Sequence, residues 1–347
     1  MTRITDTEFE AVELELADAF EISRGTTHRT TNHLVTLTDE TGVTGVGGAA
    51  PSSYYGESAE SVERVLPALL DAVSGMNPFN QQAIEQQLVA IAPEQAAARA
   101  AVSVAVYDLA ATHKNEPLYQ RFGLDPERTP VTSVTVGIDS PEMMADRARN
   151  WMDAGYPALK VKLGTDNDRA RLNAVRDGAP DARIRVDVNG DWNRETALEQ
   201  LSWLESCDVE LLEQPVPADD IAGLRAISQE TSIPVAADES CVTAADVPRV
   251  ADAVDAVVVK LMKCGGLGEA YRQIVAANAH GLETMLGCMV ETSASISGAC
   301  HLTPLTEFAD LDGALLLTDE PCTGVRLSDG RIGIREVVRG TGAQCQP

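Results

Sequence analysis

Lysine is nearly missing from this sequence: only 5 of its 27 basic residues are lysine, and the other 22 are arginine. Positive charge as a whole is scarce too, since 53 acidic residues leave a formal net charge of −26. So anionic a chain repels polyphosphate and anionic lipid, which excludes nucleic acid and membrane surfaces as partners. Long apolar runs are also lacking. No segment approaches the ~20 apolar residues of a membrane span. None follows Met1-Thr2-Arg3-Ile4-Thr5-Asp6 as the core of a signal peptide. The cysteines at 207, 241, 264, 288, 300, 322 and 345 are odd in number and include no Cys-x-x-Cys pair. They read as reduced thiols of a cytoplasmic protein, neither a disulfide frame nor a zinc site. Asp and Glu are spread along the chain instead of gathering in a tail. That acidic, lysine-poor composition suggests a halophilic protein working in salt-saturated cytoplasm. Where lysine is avoided, the lysines that remain have a job, and four of the five stand at 160, 162, 260 and 263.

What is present is ample material for a core. At 347 residues and 44% hydrophobic, the chain can build one large domain and a smaller one. Residues 3–50 alternate in short β-like runs, Phe9–Leu16 and Leu34–Thr38, and end in a turn-rich hairpin from Gly42 to Gly48. The stretches Glu21–Thr27 and Ser52–Gly56 read as polar, mobile loops. Helical patterns follow at Ser58–Val73, Gln81–Ile91 and about Pro93–Thr112. From about Pro130 the texture changes to apolar runs at Ser133–Ile138, Ala158–Leu163, Arg183–Val188, Val209–Leu212, Ile233–Ala237, Ala253–Lys260, Leu282–Leu286 and Ala314–Leu317. The first seven are each followed by a helical segment. Strands alternating with helices at that spacing predict parallel βα units with right-handed crossovers. Eight of them make an α/β fold, a (β/α)₈-type barrel of the TIM kind. We therefore expect an α+β first domain over residues 1–125, a barrel over 126–320, and a segment over 321–347. The last carries β patterns at Val325–Leu327 and Arg331–Val338 and returns to the first domain.

The second barrel strand carries Lys160 and Lys162 on one face, and Leu159, Val161 and Leu163 on the other. The apolar face is for a covering helix, so the lysines point into the barrel. Two ammonium groups side by side in an enclosed site repel each other and resist desolvation, and both effects lower a lysine pKa toward neutrality. The third, fourth and fifth strands end in Asp187, Glu213 and Asp238, one βα unit apart, at the mouth where barrels carry function. Three carboxylates that close require a cation. All-oxygen ligands favour a hard ion, and Mg²⁺ keeps positions free for substrate. Lys260 ends the sixth strand, across the mouth from the second. Lys263 reads as a loop or packing lysine.

Taken together, Lys-x-Lys, Asp-x-Asn, Glu-Gln-Pro, Ala-Asp-Glu-Ser and Lys-x-x-Lys-x-Gly-Gly, in this order, resemble the enolase superfamily, muconate-lactonizing subgroup. The resemblance covers nearly the whole chain and implies a modified (β/α)₇β barrel under a capping domain. It implies Asp187, Glu213 and Asp238 as Mg²⁺ ligands, Lys162 and Lys260 as the acid/base pair, and Lys160 as the group that tunes Lys162. Asp310-x-Asp312 at the eighth strand resembles the pair with which dipeptide epimerases hold a substrate α-ammonium, and Gly287-Cys288-Met289-Val290-Glu291 is similar to that group. The resemblance adds Thr135, Asn189 and Cys288 to the substrate-binding set. Arg24 lies in a segment similar to one from which some dipeptide epimerases draw an arginine for an acidic side chain. The implied activity inverts the α-carbon of the C-terminal residue of an Ala-Glu-like dipeptide, through an enediolate, in a homo-oligomer. Two alternatives stand beside it: o-succinylbenzoate synthase or a muconate-type cycloisomerase on the same scaffold, and a metal-binding barrel without catalysis.

Overall fold

The computed structural model describes residues 2–346. The chain opens with an antiparallel sheet of β1 (Ile4–Ile22), β2 (Gly25–Asp39) and β3 (Thr44–Ala49). Glu21–Thr27, expected as a mobile loop, is instead the tip of a long hairpin. Glu21 pairs with Thr26 and Ile22 with Gly25, leaving Ser23-Arg24 as a two-residue turn. Gly25 at φ +141° closes that turn, and the β-branched threonines at 26, 27, 30 and 31 extend the ladder behind it.

Helices α1 (Ala59–Val73) and α3 (Ala96–His113) cover one face of the sheet, and α2 (Gln81–Ile91) packs against both helices. The alanine-rich α3 is buried almost throughout. It lies directly on β3 because Gly45 and Gly47 carry no Cβ. A side chain at Gly47 would drive into the carbonyl of Ala101, and one at Gly45 into the Leu109 backbone.

The second unit is the barrel. Its parallel strands are β4 (Val134–Val136), β5 (Ala158–Lys162), β6 (Arg183–Asp187), β7 (Val209–Glu213), β8 (Val235–Ala237), β9 (Ala256–Lys260), β10 (Glu283–Gly287) and β11 (Phe308–Asp310), each beside the next in sequence. A parallel bridge between Thr132 and Ala309, with Ser133 N–H donating to the Ala309 carbonyl at 2.9 Å, joins the last strand to the first. Helices follow the first seven strands and none follows the eighth before the tail, giving the (β/α)₇β order. Outward residues such as Leu159, Val161, Ile184 and Val186 belong to the main core, while Leu211, Ala236, Ala256, Val258, Met285 and Phe308 form a separate apolar cluster inside the barrel. By the two-residue period of each strand, the layer above that plug is polar: Lys162, Asp187, Glu213, Lys260 and Asp310.

The eighth strand needs correcting. It is Phe308–Asp310, and Ala314–Leu317 lies in a 3₁₀ turn and its end. Gly313 packs against the Met289 carbonyl so closely that no side chain fits, and the chain turns there. Asp312 therefore stands at the start of the turn and not on a strand face with Asp310.

Cysteine also departs from expectation. Cys322 and Cys345 form a disulfide, directly opposed in a ladder of Cys322–Thr323 with Gln344–Cys345. Scatter in sequence concealed a pair that the returning tail brings together. The other five cysteines are free. Closing a 23-residue separation stabilises by on the order of 3 kcal/mol through loss of unfolded-chain entropy. Cys345→Ser should therefore lower Tm by several degrees, and a reductant should produce the same shift in the wild type alone. A wild-type Tm indifferent to reductant would exclude the bridge in solution.

In the tail, the expected β patterns reduce to a short hairpin, Leu327–Ser328 with Arg331–Ile332, and a 3₁₀ turn at Ile334–Glu336. Beyond it the chain lies on α3: Thr341 N–H donates to the buried Asp108 carboxylate at 2.6 Å, and Leu118 N–H to the Gly340 carbonyl at 2.8 Å. Among the described residues no helix is long and apolar enough to cross a membrane.

Candidate active site

The β1–β2 hairpin and the Ala50–Tyr54 segment roof the barrel mouth over a cavity of about 520 Å³. Of the residues singled out in the sequence, Arg24, Thr135, Lys160, Lys162, Asn189, Lys260, Cys288, Asp310 and Asp312 line it. Asp187, Glu213 and Asp238 lie behind the lysines, each 1% exposed or less.

Strand register builds the arrangement. Lys162 pairs with Asp187, and Asp187 with Glu213. Lys260 and Asp310 both pair with Gly287. A Cβ on Gly287 would stand 3.0 Å from Lys260 Cε, so the glycine leaves room for that lysine to cross the mouth. Beyond Asp187, Asn189 takes the left-handed conformation (φ 52°) that asparagine tolerates, and its N–H folds back onto Asp187 Oδ1 at 2.9 Å. Gln214, also left-handed, receives Asp238 N–H at 2.9 Å and donates to Ser240 Oγ at 2.8 Å, tying the ends of β7 and β8 together.

Every site lysine sits against carboxylate. Lys160 Nζ lies 3.1 Å from Asp187, 2.8 Å from Glu213 and 2.9 Å from Asp310. Lys162 is 2.6 Å from Asp187, and Lys260 is 2.8 Å from Asp238. This reverses the expected pKa direction for Lys160. Burial alone would lower Lys160, but Asp310, Glu213 and Asp187 hold it well above the usual lysine range. Lys260 is likewise raised against its burial, by Asp238. The sequence reading weighed one lysine against another and left the acids out of that balance. The acids respond in kind: burial would raise Asp187 and Asp238, but Lys162 and Lys260 respectively hold them below the carboxylate range. Glu213 is the exception, pushed up to about 8 by burial and by Asp187.

The donor set suits a divalent cation. All three acids are oxygen ligands on neighbouring strands, the hard-ion pattern. Glu213 Oε2 is buried without a hydrogen bond; Lys160 Nζ is 2.8 Å away but not aligned to donate to it. Burial, and after it the neighbouring Asp187, disfavour a further charge on Glu213, a cost that a bound cation would offset. Among the described residues no three acidic, histidine or cysteine side chains converge into a ready-made coordination sphere, because lysine ammoniums stand between the acids. Binding a cation there exchanges those ion pairs for metal contacts.

At the opposite wall, Asp310 accepts from Ser133 Oγ at 2.7 Å and from Lys160, while Asp312 accepts the Thr135 N–H at 2.6 Å. Burial and the neighbouring Asp310 push Asp312 up to about 7. Two neighbouring carboxyls, Asp312 without an ion-pair partner among the described residues, are chemically suited to an ammonium group.

The roles of Lys263, Glu239 and Tyr54 escaped sequence reasoning. Lys263 is buried and donates to the Asp238 side chain, to its carbonyl at 2.8 Å and to the Val258 carbonyl at 2.8 Å. It braces Asp238, and its place one helical turn after Lys260 was the available signal. Arg24 pairs with Glu239 at 2.9 Å and lies over the Tyr54 ring at 4.2 Å. No sequence pattern joins the hairpin tip to those two. Cys288 Sγ receives the Gly313 N–H at 3.3 Å, a packing contact at the cavity wall.

Comparison with known proteins agrees with this geometry. Residues 4–123 match the mandelate racemase/muconate lactonizing enzyme N-terminal domain, and residues 143–346 match the enolase C-terminal domain-like family. The L-Ala-D/L-Glu epimerase of Bacteroides thetaiotaomicron is 37% identical over 94% of this chain and 84% of its own. The hydrophobic dipeptide epimerase of Enterococcus faecalis is 33% identical over 93% and 94%. A crystal structure of the dipeptide epimerase from Enterococcus faecalis, complexed with Mg and the dipeptide L-Leu-L-Tyr, superposes with a TM-score of 0.93 at 32% identity, covering 99% of both chains. By sequence along nearly its whole length and by the course of its backbone, this chain belongs to the mandelate racemase/muconate lactonizing enzyme family, with an enolase-like C-terminal domain.

Proposed function

We propose that this protein is a Mg²⁺-dependent dipeptide epimerase that inverts the α-carbon of the C-terminal residue. The observation that carries the reading is the pair of lysines on opposite strands of one cavity whose third wall is Asp310 and Asp312. An α-ammonium held by those acids places the rest of a dipeptide between Lys162 and Lys260. One lysine takes the α-proton as base, and the other returns a proton to the opposite face as acid. Asp187, Glu213 and Asp238 would hold Mg²⁺, which when bound neutralises charge developing on the substrate carboxylate. Lys160 keeps Asp310 and Glu213 in place beneath that reaction. The relatives named for dipeptide epimerisation, and the neighbour crystallised with Mg and a dipeptide, support the assignment. Substrates of the synthase and cycloisomerase are anionic without an ammonium, and Asp310 with Asp312 would repel them. The test is proton exchange in D₂O followed by NMR over a small dipeptide panel. Exchange with inversion is expected; ring closure or loss of water would transfer the site to those rivals, and no exchange would leave a binding barrel.

For the side chain on the inverted carbon, we assign Arg24 as its partner and an Ala-Glu-like dipeptide as the substrate. Arg24 lines the cavity, and its contacts with Glu239 and the Asn189 carbonyl run through Nη1. Nε and Nη2 remain to grip a carboxylate. A charge-assisted pair in a closed site is worth roughly 1.5–3 kcal/mol, or about 10- to 100-fold. In high salt, which the acidic composition suits, Ala-Glu should exceed Ala-Phe and Ala-Lys in kcat/KM by that factor. Arg24→Ala should erase the advantage without changing Mg²⁺ affinity. A wild type that prefers Phe or Lys removes Arg24 from this role and leaves the epimerase reading standing.

A further inference from the structure

Beside the active-site cavity lies a second hollow, of about 270 Å³. Phe20, Thr135 and Leu316 line both. The hollow runs between the outer stretch of β1 and the first barrel helix, Pro141–Asp153, with Leu16, Trp151 and Leu315 completing its apolar wall. Its charged members stand at the rim: Asp18 is exposed, and Arg147 is paired with Asp139 at 3.0 Å.

The shared wall is also where the substrate's amino end is anchored. Thr135 N–H donates to Asp312 at 2.6 Å, so the partition and the ammonium receptor are one piece of structure. A residue whose α-ammonium sits on Asp310 and Asp312 has its α-carbon one bond away, which brings its side chain within reach of a partition that Thr135 shares with Asp312. The partition carries Phe20 and Leu316, both only partly buried, and an apolar side chain passing them gains burial against Trp151 and Leu315.

We propose that this groove is the subsite for the N-terminal residue's side chain and that it takes large apolar groups, leucine or phenylalanine in preference to alanine. The inference rests on the epimerase reading and adds the half of the substrate at which no chemistry occurs. Contacts remote from the reacting carbon improve kcat/KM by fixing the substrate's place. Burying a leucine or phenylalanine side chain in part is worth about tenfold.

The test is kcat/KM for L-Ala-L-Glu, L-Leu-L-Glu, L-Phe-L-Glu and L-Lys-L-Glu with the wild type and two groove-filling variants. Ala154→Phe fills one bank from the exposed end of the helix, and Ala17→Phe the other from β1. The Leu/Ala and Phe/Ala ratios should be about ten in the wild type and fall to about one in both variants, with lysine no better than alanine throughout. A ratio of two substrates on one preparation does not move with the fraction folded. Equal turnover of the alanine and leucine dipeptides by the wild type, or ratios that survive both variants, overturns the subsite while the epimerase reading stands. The same panel is run with L-Phe and L-Lys in place of the C-terminal L-Glu, and no turnover of any member of any series overturns both.

Discussion

Lys162→Ala and Lys260→Ala are each expected to abolish inversion of the dipeptide α-carbon, with losses on the order of 10²–10⁴ or more in rate. Inversion needs a proton-transfer group on both faces of the carbon, and these lysines come from β5 and β9, the second and sixth strands of the eight. The variants should differ in what they retain. With one lysine intact, the α-proton of one stereoisomer still exchanges with D₂O, and each variant should exchange the isomer that the other does not. Both substitutions also strip a counter-ion from a buried acid: Asp187 loses a partner at 2.6 Å, Asp238 one at 2.8 Å. Asp187 keeps Lys160 at 3.1 Å and Asp238 keeps Lys263, but each loses part of the compensation its buried charge requires, so thermal unfolding of each variant with Mg²⁺ present must accompany the kinetics. Full epimerisation by either folded variant would end the two-lysine assignment.

Chelation should be as decisive. EDTA is expected to silence the wild type, and Asp187→Asn, Glu213→Gln or Asp238→Asn to weaken Mg²⁺ binding measured by calorimetry. A second readout needs no substrate. A ligand that binds only the folded state raises stability by RT ln(1 + [L]/Kd), about 2.7 kcal/mol at a hundredfold excess over Kd. Mg²⁺ should therefore raise the wild-type Tm and leave the three variants nearly unmoved. Activity that survives exhaustive chelation removes Mg²⁺ from the mechanism, whatever the Tm does.

How much of this was readable beforehand depended on whether the signal was local. Asp187, Glu213 and Asp238 were legible because one βα unit separates each from the next and strand-end residues share one mouth. The inward face of Lys160 and Lys162 follows from a period of two. What could not be read depends on residues far apart in sequence. The Arg24–Glu239 pair and the Cys322–Cys345 bridge have no periodicity. The Lys160 pKa runs opposite to expectation for the same reason: repulsion between Lys160 and Lys162 is visible in three letters, while the carboxylates that outweigh it at Lys160 arrive from β6, β7 and β11. The hairpin tip was misread because polar composition signals solvent, and threonine in a ladder over a barrel mouth obeys its β-branched shape more than its polarity. At the eighth strand a stronger apolar run, Ala314–Leu317, drew attention from the shorter Phe308–Asp310.

The tail that crosses α3 has a consequence for the order in which the molecule is made. Asp108 is buried in the capping domain, yet two of its hydrogen-bond donors, the Thr341 N–H and Oγ1, lie 233 residues further along the chain. On a ribosome the sheet, the three helices and every barrel strand emerge before those donors exist. Until then Asp108 has the Val46 N–H at 2.8 Å, and water must take the place of Thr341. Contacts of such long sequence separation form late because their loop-closure entropy is met last. Asp108 therefore gains these two donors only when the segment around Thr341 docks on α3.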